Sequence, residues 1–361
     1  MNHIAIFIEQ LRDGGAERVA SLWAHGFAQK GFQVTIVTDL SKKIDYKIDG
    51  RVKLYDLHKY GYIFDKKHLL RNVLNLRKVI KDVKPDVIIT VLYPLDLLSL
   101  LATINMSIPI VNTMHNSFER PKGGEYSLQA RFVRFYVNRF FSHVTVLTEA
   151  DKKYIGKRIK NISVLPNPLT FEPKRDIPAK EKFILAAGRL DVWYCKGFDI
   201  LLKAWVRLQA SYPEWKLKIA GGGDSTPLKK ICSDLGIENR VDFLGFVDIK
   251  EQYENAEIFV LSSRYDGFGM VLIEAMSQGC ACIACDYKGR QREIIADDHQ
   301  GIICSPEDIE GVSKAIQNLI ENDNYRKYLQ KNAIDRSHAF RLPNIMQKWD
   351  EIFEKIGLKR N

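Results

Sequence analysis

The stretch EIFVLSSRYDGFGMVLIEAMSQGCACIACD, residues 257–286, carries the repeating pattern from which we predict the fold. A short apolar run (257–263) leads through a glycine-containing loop into an apolar helix from Met270, and then into a second apolar run (281–286). Apolar runs of this length on either side of a helix are typical of buried parallel strands. The stretch therefore predicts a strand–helix–strand unit and an α/β fold.

The same alternation fills the rest of the chain in two blocks. Residues 3–39 show the pattern of a strand, a loop, a helix and a strand, and further pairs follow as far as the segment Pro166–Pro168. The alternation then starts again. We therefore predict two doubly wound, Rossmann-like domains, residues 1–168 and 169–342, that face each other across a cleft. Ligands of such sheets bind outside the carboxyl ends of the strands.

The composition is that of an ordinary folded protein, because 46% of the 361 residues are hydrophobic and 27% are charged. The first ten residues lack the basic start of a secretory leader, so we predict a cytoplasmic protein. The segment 87–111 has the length and apolarity of a membrane span. Two prolines, Asp96 and Asn105 interrupt it, which favours a strand (86–92), a helix (95–105) and a strand (108–114) instead.

Positive charge is concentrated in the first half of the chain. Residues 1–170 have a net charge of +11, whereas the remainder has a net charge of −1. Arginines, Lys122 and aromatic residues alternate between Arg120 and Phe141, which predicts a basic amphipathic helix that contacts the cytoplasmic face of an anionic membrane. A solvated helix with its aromatic residues in the core is the alternative. No signature of a nucleic-acid-binding module accompanies the charge.

The three cysteines Cys280, Cys282 and Cys285 allow two interpretations. They could hold a metal ion, or they could pack as small apolar side chains in a central strand. The sequence offers no second pair of Cys or His residues at zinc spacing, so we predict core packing and no metal.

Candidate ligand-binding residues follow two predicted strands of the second domain. Arg189 and Lys196 offer two cations to a diphosphate. The free amides near Gly269 and Met270 begin a helix and suit a phosphate. Glu274, one turn inside that helix, suits the two hydroxyl groups of a ribose.

Asp266 precedes the same glycines and admits several roles. With Glu274 it could form an acid–base pair that flanks a glycosidic bond. It could instead contact a group beyond the diphosphate, or simply cap the loop, while Glu274 forms a surface ion pair.

The first domain raises a competing function, that of a nicotinamide-dependent dehydrogenase. Asp39 ends the second strand, where such enzymes place an acid that binds ribose. Only Gly14 and Gly15 stand in the preceding loop, which is too long for the tight G-x-G-x-x-G turn. The two glycines still allow an anion to approach the backbone before a helix.

Several motifs, taken together and in this order, resemble those of the family-4 retaining glycosyltransferases of GT-B architecture. They are GGAERV near the start, GRL followed by KGFDILL, FLGFV, YDGFGMVLIEAMSQG and KGRQREII. The resemblance covers nearly the whole chain. It implies that residues 1–168 form an acceptor-side domain and residues 169–342 a domain that binds a nucleotide-sugar donor, both Rossmann-like. It also implies that a last helix, 343–361, crosses back to the first domain.

The resemblance also implies a role for each candidate residue. Arg189 and Lys196 would bind the donor diphosphate, and Glu274 the ribose. Asp266 would contact the transferred sugar, as would His115 in TMHNS. The remaining donor-binding positions that it implies are Gly14, Gly15, Gly267, Phe268, Gly269, Met270 and Val271.

Members of this family move a sugar from a nucleotide donor with retention, without a protein nucleophile and without a metal ion. The resemblance implies a nucleotide-sugar donor, which we expect to be a UDP-sugar, with a guanine nucleotide as the alternative. As acceptor it implies a glycan linked to a lipid diphosphate, in the synthesis of a cell-surface polysaccharide. A nucleotide-sugar epimerase or hydrolase of the same shape is the alternative.

Two departures from the family pattern stand out. Asp266 is one methylene shorter than the usual glutamate. Arg189 and Lys196 are seven positions apart, two more than usual, so we expect the loop between them to bulge.

Overall fold

The computed structural model describes residues 2–12, 14–63, 68–120 and 126–358, except the side chain of Gln129. The chain divides into two compact units, Met1–Pro168 with Leu342–Asn361, and Leu169–Arg341. Lys122, which belongs to the predicted basic helix, lies outside the described residues, as do residues 359–361 at the end of the predicted last helix.

The described part of the first unit contains a seven-stranded parallel sheet in the order β3-β2-β1-β4-β5-β6-β7. Every residue of β1 and β4 is buried, as expected for central strands with helices on both faces. The strands are β1 (His3–Phe7), β2 (Gln33–Thr38), β3 (Val52–Asp56), β4 (Val87–Val91), β5 (Ile110–Thr113), β6 (His143–Val146) and β7 (Ile162–Val164). The helices are α1 (Gly15–Gln29), α2 (Leu69–Val83), α3 (Leu95–Ala102), α4 (Leu128–Phe135) and α5 (Glu149–Ile155).

The second unit repeats this design with a six-stranded parallel sheet in the order β10-β9-β8-β11-β12-β13. Its strands are β8 (Glu181–Ala187), β9 (Lys216–Ala220), β10 (Val241–Gly245), β11 (Ala256–Leu261), β12 (Ala281–Cys285) and β13 (Ile302–Cys304). Its helices are α6 (Trp193–Lys196), α7 (Phe198–Trp205), α8 (Thr226–Leu235), α9 (Ile249–Asn255), α10 (Met270–Ser277), α11 (Ile309–Glu321) and α12 (Asp323–Ser337). Both sheets have Rossmann-like strand order, so the predicted α/β fold is confirmed.

In each sheet the strand order reverses next to the first strand of the unit. This reversal lies between β1 and β4 in the first sheet and between β8 and β11 in the second. Loops that leave the two strands in opposite directions open a crevice there, which is where ligands of doubly wound sheets bind. The loops after β8 and β11 are the ones that carry the candidate residues of the second unit.

The apolar segment 87–111 is a strand, a helix and the start of a second strand, as predicted. It contains β4 and α3 and runs into β5. Within the described ranges, no helix combines the length and the apolarity that crossing a membrane requires.

The basic helix predicted from Arg120 to Phe141 is shorter than expected. The Ser127 hydroxyl accepts a hydrogen bond from the Ala130 amide and caps the start of α4, and a 3-10 turn at Val137–Phe140 follows the helix. Phe141 is buried, as expected if the aromatic residues pack in the core, whereas Phe132 is exposed, as expected if they contact a membrane.

The last helix, α13 (Leu342–Lys355), packs in the first unit although it follows the second in sequence. The Trp349 ring lies 5.1 Å from that of Trp23 and 5.3 Å from that of Phe27, both on α1, between ring centroids. Trp349 is completely buried. This aromatic cluster packs α13 against α1 of the first unit.

We predict that Trp349→Ala lowers the free energy of unfolding of the first unit by about 3–5 kcal/mol, because it removes a large buried side chain and leaves a cavity. Urea denaturation followed by circular dichroism measures the loss. Gln347→Ala, an exposed change on the same helix, is the matched control and should have little effect. Equal stability of the two variants would contradict the packing role of Trp349.

Candidate active site

Two loops of the second unit meet at the point where its strand order reverses. One follows β8 and the other follows β11, and these two strands are parallel neighbours. Their carboxyl ends therefore lie at the same edge of the sheet. The Nζ atom of Lys196, from the first loop, lies 2.7 Å from Oδ2 of Asp266, from the second. This ion pair joins the two loops.

The long spacing between Arg189 and Lys196 is taken up by helical turns rather than by an open bulge. Leu190–Val192 form a 3-10 turn and α6 follows directly. Gly197 then ends α6 with a φ of +64°, and a Cβ atom there would lie 1.9 Å from the Ser262 carbonyl oxygen. Glycine is therefore required at this position for α6 to pack against the loop after β11.

Arg264 holds the same two loops together, a role that the sequence did not indicate. Its guanidinium group donates to both oxygens of Asp199, at 2.6 and 2.8 Å. It also lies 3.9 Å from the centre of the Tyr194 ring. The Arg264 amide donates to the Cys195 carbonyl at 2.9 Å. A bidentate ion pair and a cation–π contact thus fix α6 beside β11.

The Lys196–Asp266 pair is largely shielded from water, since only 22% and 18% of the two side chains are exposed. Burial lowers the pKa of Lys196, but the Asp266 carboxylate more than compensates, so the pKa is raised above its ordinary value. The exposed Arg189 acts in the opposite sense, because its positive charge lowers the pKa of Lys196. Lys196 is therefore paired with one carboxylate while a second cation acts on it, and this positive charge favours an incoming anion.

The start of α10 lies in the same loop as Asp266. Gly269 precedes the helix in the left-handed conformation and makes no side-chain capping hydrogen bond. The amides of Met270 and Val271 therefore lack a side-chain cap and are available for an anion, whereas the Leu272 amide donates to the Gly269 carbonyl at 2.9 Å. Phe268 is buried against Phe340, with ring centroids 5.7 Å apart, so its side chain anchors the loop. Asp266 also accepts a hydrogen bond from the Gly267 amide at 2.8 Å.

Glu274 is buried, with 3% of the residue exposed, so the alternative of a surface ion pair is wrong. Its Oε1 atom accepts a hydrogen bond from the Thr170 hydroxyl at 2.6 Å, and its Oε2 atom accepts one from the Tyr253 hydroxyl at 3.3 Å. A carboxylate that already receives two hydroxyl groups can accept those of a vicinal diol in the same way. Sequence patterns gave no sign of Thr170 or Tyr253.

In the first unit, Gly14 and Gly15 connect β1 to α1. The Tyr46 hydroxyl donates to the Gly14 carbonyl at 2.7 Å. A Cβ atom on Gly14 would lie only 1.7 Å from Oε2 of Glu17, so this carboxylate covers the start of the helix. An anion that approached the two glycines would have to displace it.

Asp39, on which the dehydrogenase alternative depended, is already engaged. Its Oδ1 atom accepts hydrogen bonds from the amide and the hydroxyl of Ser41, at 2.9 and 2.6 Å. Its Oδ2 atom faces Lys42 and His58. Asp39 therefore serves as a structural carboxylate at the end of β2.

His115 follows β5 in the first unit and packs against Trp23, with ring centroids 5.5 Å apart. Thr113 donates its only hydroxyl proton to the Thr90 carbonyl at 2.8 Å, so its oxygen accepts from Nε2–H of His115 at 3.1 Å. The Nδ1 atom of His115 then carries a lone pair. Burial lowers the pKa of His115 to about 4, so the ring is neutral at pH 7.

The candidate residues thus fall into two groups, one at the carboxyl edge of each sheet. Arg189, Lys196, Asp266, Gly267–Val271 and Glu274 belong to the second unit, and Gly14, Gly15 and His115 belong to the first. Cys280, Cys282 and Cys285 are buried in or next to β12. Among the residues that the structure describes, no three His, Cys, Asp or Glu side chains are placed to hold a metal ion.

Comparisons with known proteins agree with this architecture. Residues 13–172 match the family model Glycosyltransferase Family 4, and residues 169–336 match the model Glycosyl transferases group 1. An uncharacterized glycosyltransferase of Haemophilus influenzae is 30% identical over 98% of this chain and 100% of its own length. The chain belongs to the family-4 glycosyltransferases.

Two further proteins are similar to this glycosyltransferase, one in sequence and one in structure. The GalNAc-alpha-(1->4)-GalNAc-alpha-(1->3)-diNAcBac-PP-undecaprenol alpha-1,4-N-acetyl-D-galactosaminyltransferase of Campylobacter jejuni is 29% identical over 99% of both chains. The crystal structure of HepE from Anabaena in complex with UDP and glucose has a TM-score of 0.79 and 19% identity over 98% of this chain and 100% of its own. The glycosyltransferase thus has a GT-B fold, as predicted, and the dehydrogenase alternative receives no support.

We predict that Asp266→Ala destabilises the second unit by about 1–3 kcal/mol, because it leaves the shielded Lys196 ammonium without its carboxylate. The double variant Lys196→Met with Asp266→Ala should recover part of this loss, as measured by thermal unfolding. Since the folded-state pKa of Lys196 is raised, the contribution of the pair should persist from neutral pH into alkaline solution and be lost as the pH rises through the raised pKa of Lys196. A double variant as unstable as the sum of both single variants would contradict direct coupling of the pair.

Proposed function

We propose that this glycosyltransferase moves a sugar from a UDP-sugar to a glycan carried on a lipid diphosphate, with retention at the anomeric carbon, during the synthesis of a cell-surface polysaccharide. The observation that carries the proposal is the Lys196–Asp266 pair beside the open start of α10. A diphosphate needs cations and free amides, and this edge of the second sheet offers both.

In the proposed donor complex, the diphosphate lies against the amides of Gly269–Val271 and accepts hydrogen bonds from Lys196 and Arg189. The ribose hydroxyls replace the Thr170 and Tyr253 hydroxyls on Glu274, an exchange of like donors on one buried carboxylate. UDP is favoured as the nucleotide because the structure of HepE contains it.

Asp266 has two roles in this scheme, one before and one after the donor binds. Before binding it neutralises Lys196. When the phosphates take over Lys196, the carboxylate becomes free to accept hydrogen bonds from hydroxyl groups of the transferred sugar. Asp266 is one methylene shorter than the glutamate usual in the family. It can still serve both roles, because the amides that face the phosphate lie in the same loop.

The proposed chemistry needs no protein nucleophile and no metal ion. Lys196, Arg189 and the helix amides stabilise the negative charge on the departing diphosphate. The sequence contains no D-x-D triplet of the metal-dependent kind. His115 is neutral, so it carries no positive charge and can only accept a hydrogen bond from a sugar hydroxyl, through Nδ1. The leaving phosphate itself accepts the proton of the attacking hydroxyl.

The proposed acceptor follows from the name of the Campylobacter relative, which refers to an undecaprenol diphosphate, and from a surface of the first unit. Four apolar side chains at spacings of four residues form an exposed stripe along α4 and the following 3-10 turn. They are Leu128, Phe132, Tyr136 and Phe140, exposed by 83, 58, 52 and 75%. Residues 120–160 contain ten Lys and Arg against three Asp and Glu. Exposed aromatic residues amid cations suit the surface of an anionic bilayer.

We predict that UDP raises the melting temperature of the protein in the presence of EDTA, whereas NAD does not. Glu274→Ala should abolish both the UDP shift and sugar transfer, because no carboxylate remains for the ribose hydroxyls. Glu251→Ala, an exposed glutamate on α9, is the matched control and should behave as the wild type. A full UDP shift in Glu274→Ala would show that the nucleotide binds elsewhere.

The product decides between transfer and the epimerase or hydrolase alternative. With a nucleotide-sugar donor and a lipid-diphosphate-linked glycan, NMR of the product should show a new glycosidic bond with the anomeric configuration of the donor. Free sugar or an epimerised donor, with no acceptor product, would favour the alternative.

We predict that Phe132→Ser with Phe140→Ser weakens binding to vesicles of phosphatidylglycerol and phosphatidylcholine at least tenfold, because two exposed aromatic side chains no longer enter the interface. Cosedimentation measures the loss, and binding of the wild type should fall with added salt. Phe246→Ser, which changes an even more exposed phenylalanine of the second unit, is the control. Unchanged vesicle binding by the double variant would show that this stripe does not contact the membrane.

A further inference from the structure

A groove of about 500 Å³ lies in the first unit, between α3 and the 3-10 turn Val137–Phe140. Leu97 and Leu101, one helical turn apart on α3, contribute to its lining, as do Val137 and Phe140 at the two ends of the 3-10 turn. The volume of the groove is that of a small-molecule site.

The groove extends to the amino edge of the first sheet. Ile110 begins β5 and Ser142 directly precedes β6, and both residues line the groove. His115, by contrast, follows the carboxyl end of β5. The groove is therefore separate from the residue of the first unit that we place near the sugar.

The lining of the groove favours an apolar ligand. Its described residues are apolar except Thr103 and Ser142, and the hydroxyl groups of these two already take part in hydrogen bonds. Thr103 donates to the Ser99 carbonyl at 2.9 Å, and Oγ of Ser142 accepts from the Ile110 amide at 3.1 Å. A sugar or a phosphate would give up hydrogen bonds to water on entering such a groove. A hydrocarbon chain has none to lose.

The groove opens beside the surface for which we propose membrane contact. Phe140 lines the groove and is also the last member of the exposed stripe that begins at Leu128. Ile104, another lining residue, is 56% exposed. A bilayer that meets the stripe therefore also meets the mouth of the groove, and lipid chains are the apolar groups that it can supply.

Charge argues against a second copy of this chain as the occupant. The stripe runs beside the exposed cations Arg131 and Arg139, and residues 1–170 have a net charge of +11. Two copies that faced each other through this surface would bring these cations together, whereas an anionic bilayer neutralises them.

The position of the groove argues against the polyprenyl chain of the proposed acceptor. That chain starts at the diphosphate that carries the glycan, and the glycan must reach the carboxyl edge of the sheet. The groove leads along α3 to the amino edge instead, and α3 alone is about 12 Å long. The chains of the surrounding phospholipids are under no such constraint.

We propose that this groove takes up one acyl chain of a phospholipid from the bilayer on which the protein works. The inference rests on the membrane contact in the proposed function, and it adds a bound lipid chain to that contact. The chain would cover Leu97, Leu101 and Val137 and remove the exposed parts of Ile104 and Phe140 from water.

The test uses the full chain and dioctanoyl phosphatidylglycerol below its critical micelle concentration, so that no bilayer is present. Isothermal titration calorimetry should show saturable binding of one lipid per chain. Glycerophosphoglycerol, which is the same headgroup without acyl chains, should not bind. Val137→Trp, which fills the groove, should weaken lipid binding about tenfold or more, because several methylene groups lose their apolar contacts.

Phe132→Ser is the matched control, because Phe132 belongs to the stripe but does not line the groove. It should lower binding to vesicles and leave binding of the single lipid unchanged. Ile104→Gln covers the case in which Val137→Trp disturbs folding, since Ile104 is exposed and a polar side chain is tolerated there. This variant should keep the melting temperature of the wild type and still weaken lipid binding.

The failure of this inference is distinguishable from failure of the proposed function. Binding of vesicles but not of the single lipid would leave the membrane contact standing and overturn the bound chain. Lipid binding that neither Val137→Trp nor Ile104→Gln weakens would place the lipid elsewhere. If the wild type does not bind vesicles, both the membrane contact and the inference are wrong, although UDP binding and sugar transfer are tested separately.

Two further outcomes would assign the groove to another occupant. Farnesyl phosphate that binds more tightly than the phospholipid, and loses its binding in Val137→Trp, would identify a site for the polyprenyl chain. A dimer in analytical ultracentrifugation that Val137→Trp dissociates would identify an interface between two copies of the chain.

Discussion

The ion pair between Lys196 and Asp266 is the interaction on which the arrangement of the second unit depends. It spans the two loops that leave neighbouring strands β8 and β11, where the strand order reverses. An ammonium group this shielded stays charged at neutral pH because a carboxylate accompanies it. The pair therefore keeps a positive charge beside the open start of α10, ready for an anion that can replace Asp266.

The sequence was sufficient to predict the fold, because both signals on which the fold depends are local. Apolar runs alternating with helices predict parallel strands, and Pro94 and Asn105 mark the breaks in the segment 87–111. The sequence placed Lys196 and Asp266 in loops after two strands, but their contact depends on the strand order, in which β8 and β11 are neighbours, and this order was not predicted. The motifs supplied the family and, through it, the assignment of Glu274.

The parts that could not be predicted are contacts between residues far apart in the chain. Thr170 lies in the linker region and Tyr253 on α9, yet both hydroxyls donate to Glu274. The bidentate pair between Arg264 and Asp199 likewise links segments that show no pattern in the sequence. The predicted helix from Arg120 to Phe141 was too long because charge and aromatic spacing do not reveal where Ser127 caps the helix.

A crystal structure of the protein with UDP would show whether Lys196, Glu274 and the start of α10 hold the nucleotide. We expect the diphosphate to lie against the start of α10, with Lys196 on a phosphate oxygen instead of on Asp266 alone, and the ribose hydroxyls on Glu274. A complex in which UDP binds away from this edge of the second sheet, or in which Glu274 keeps only its Thr170 and Tyr253 partners, would contradict this expectation.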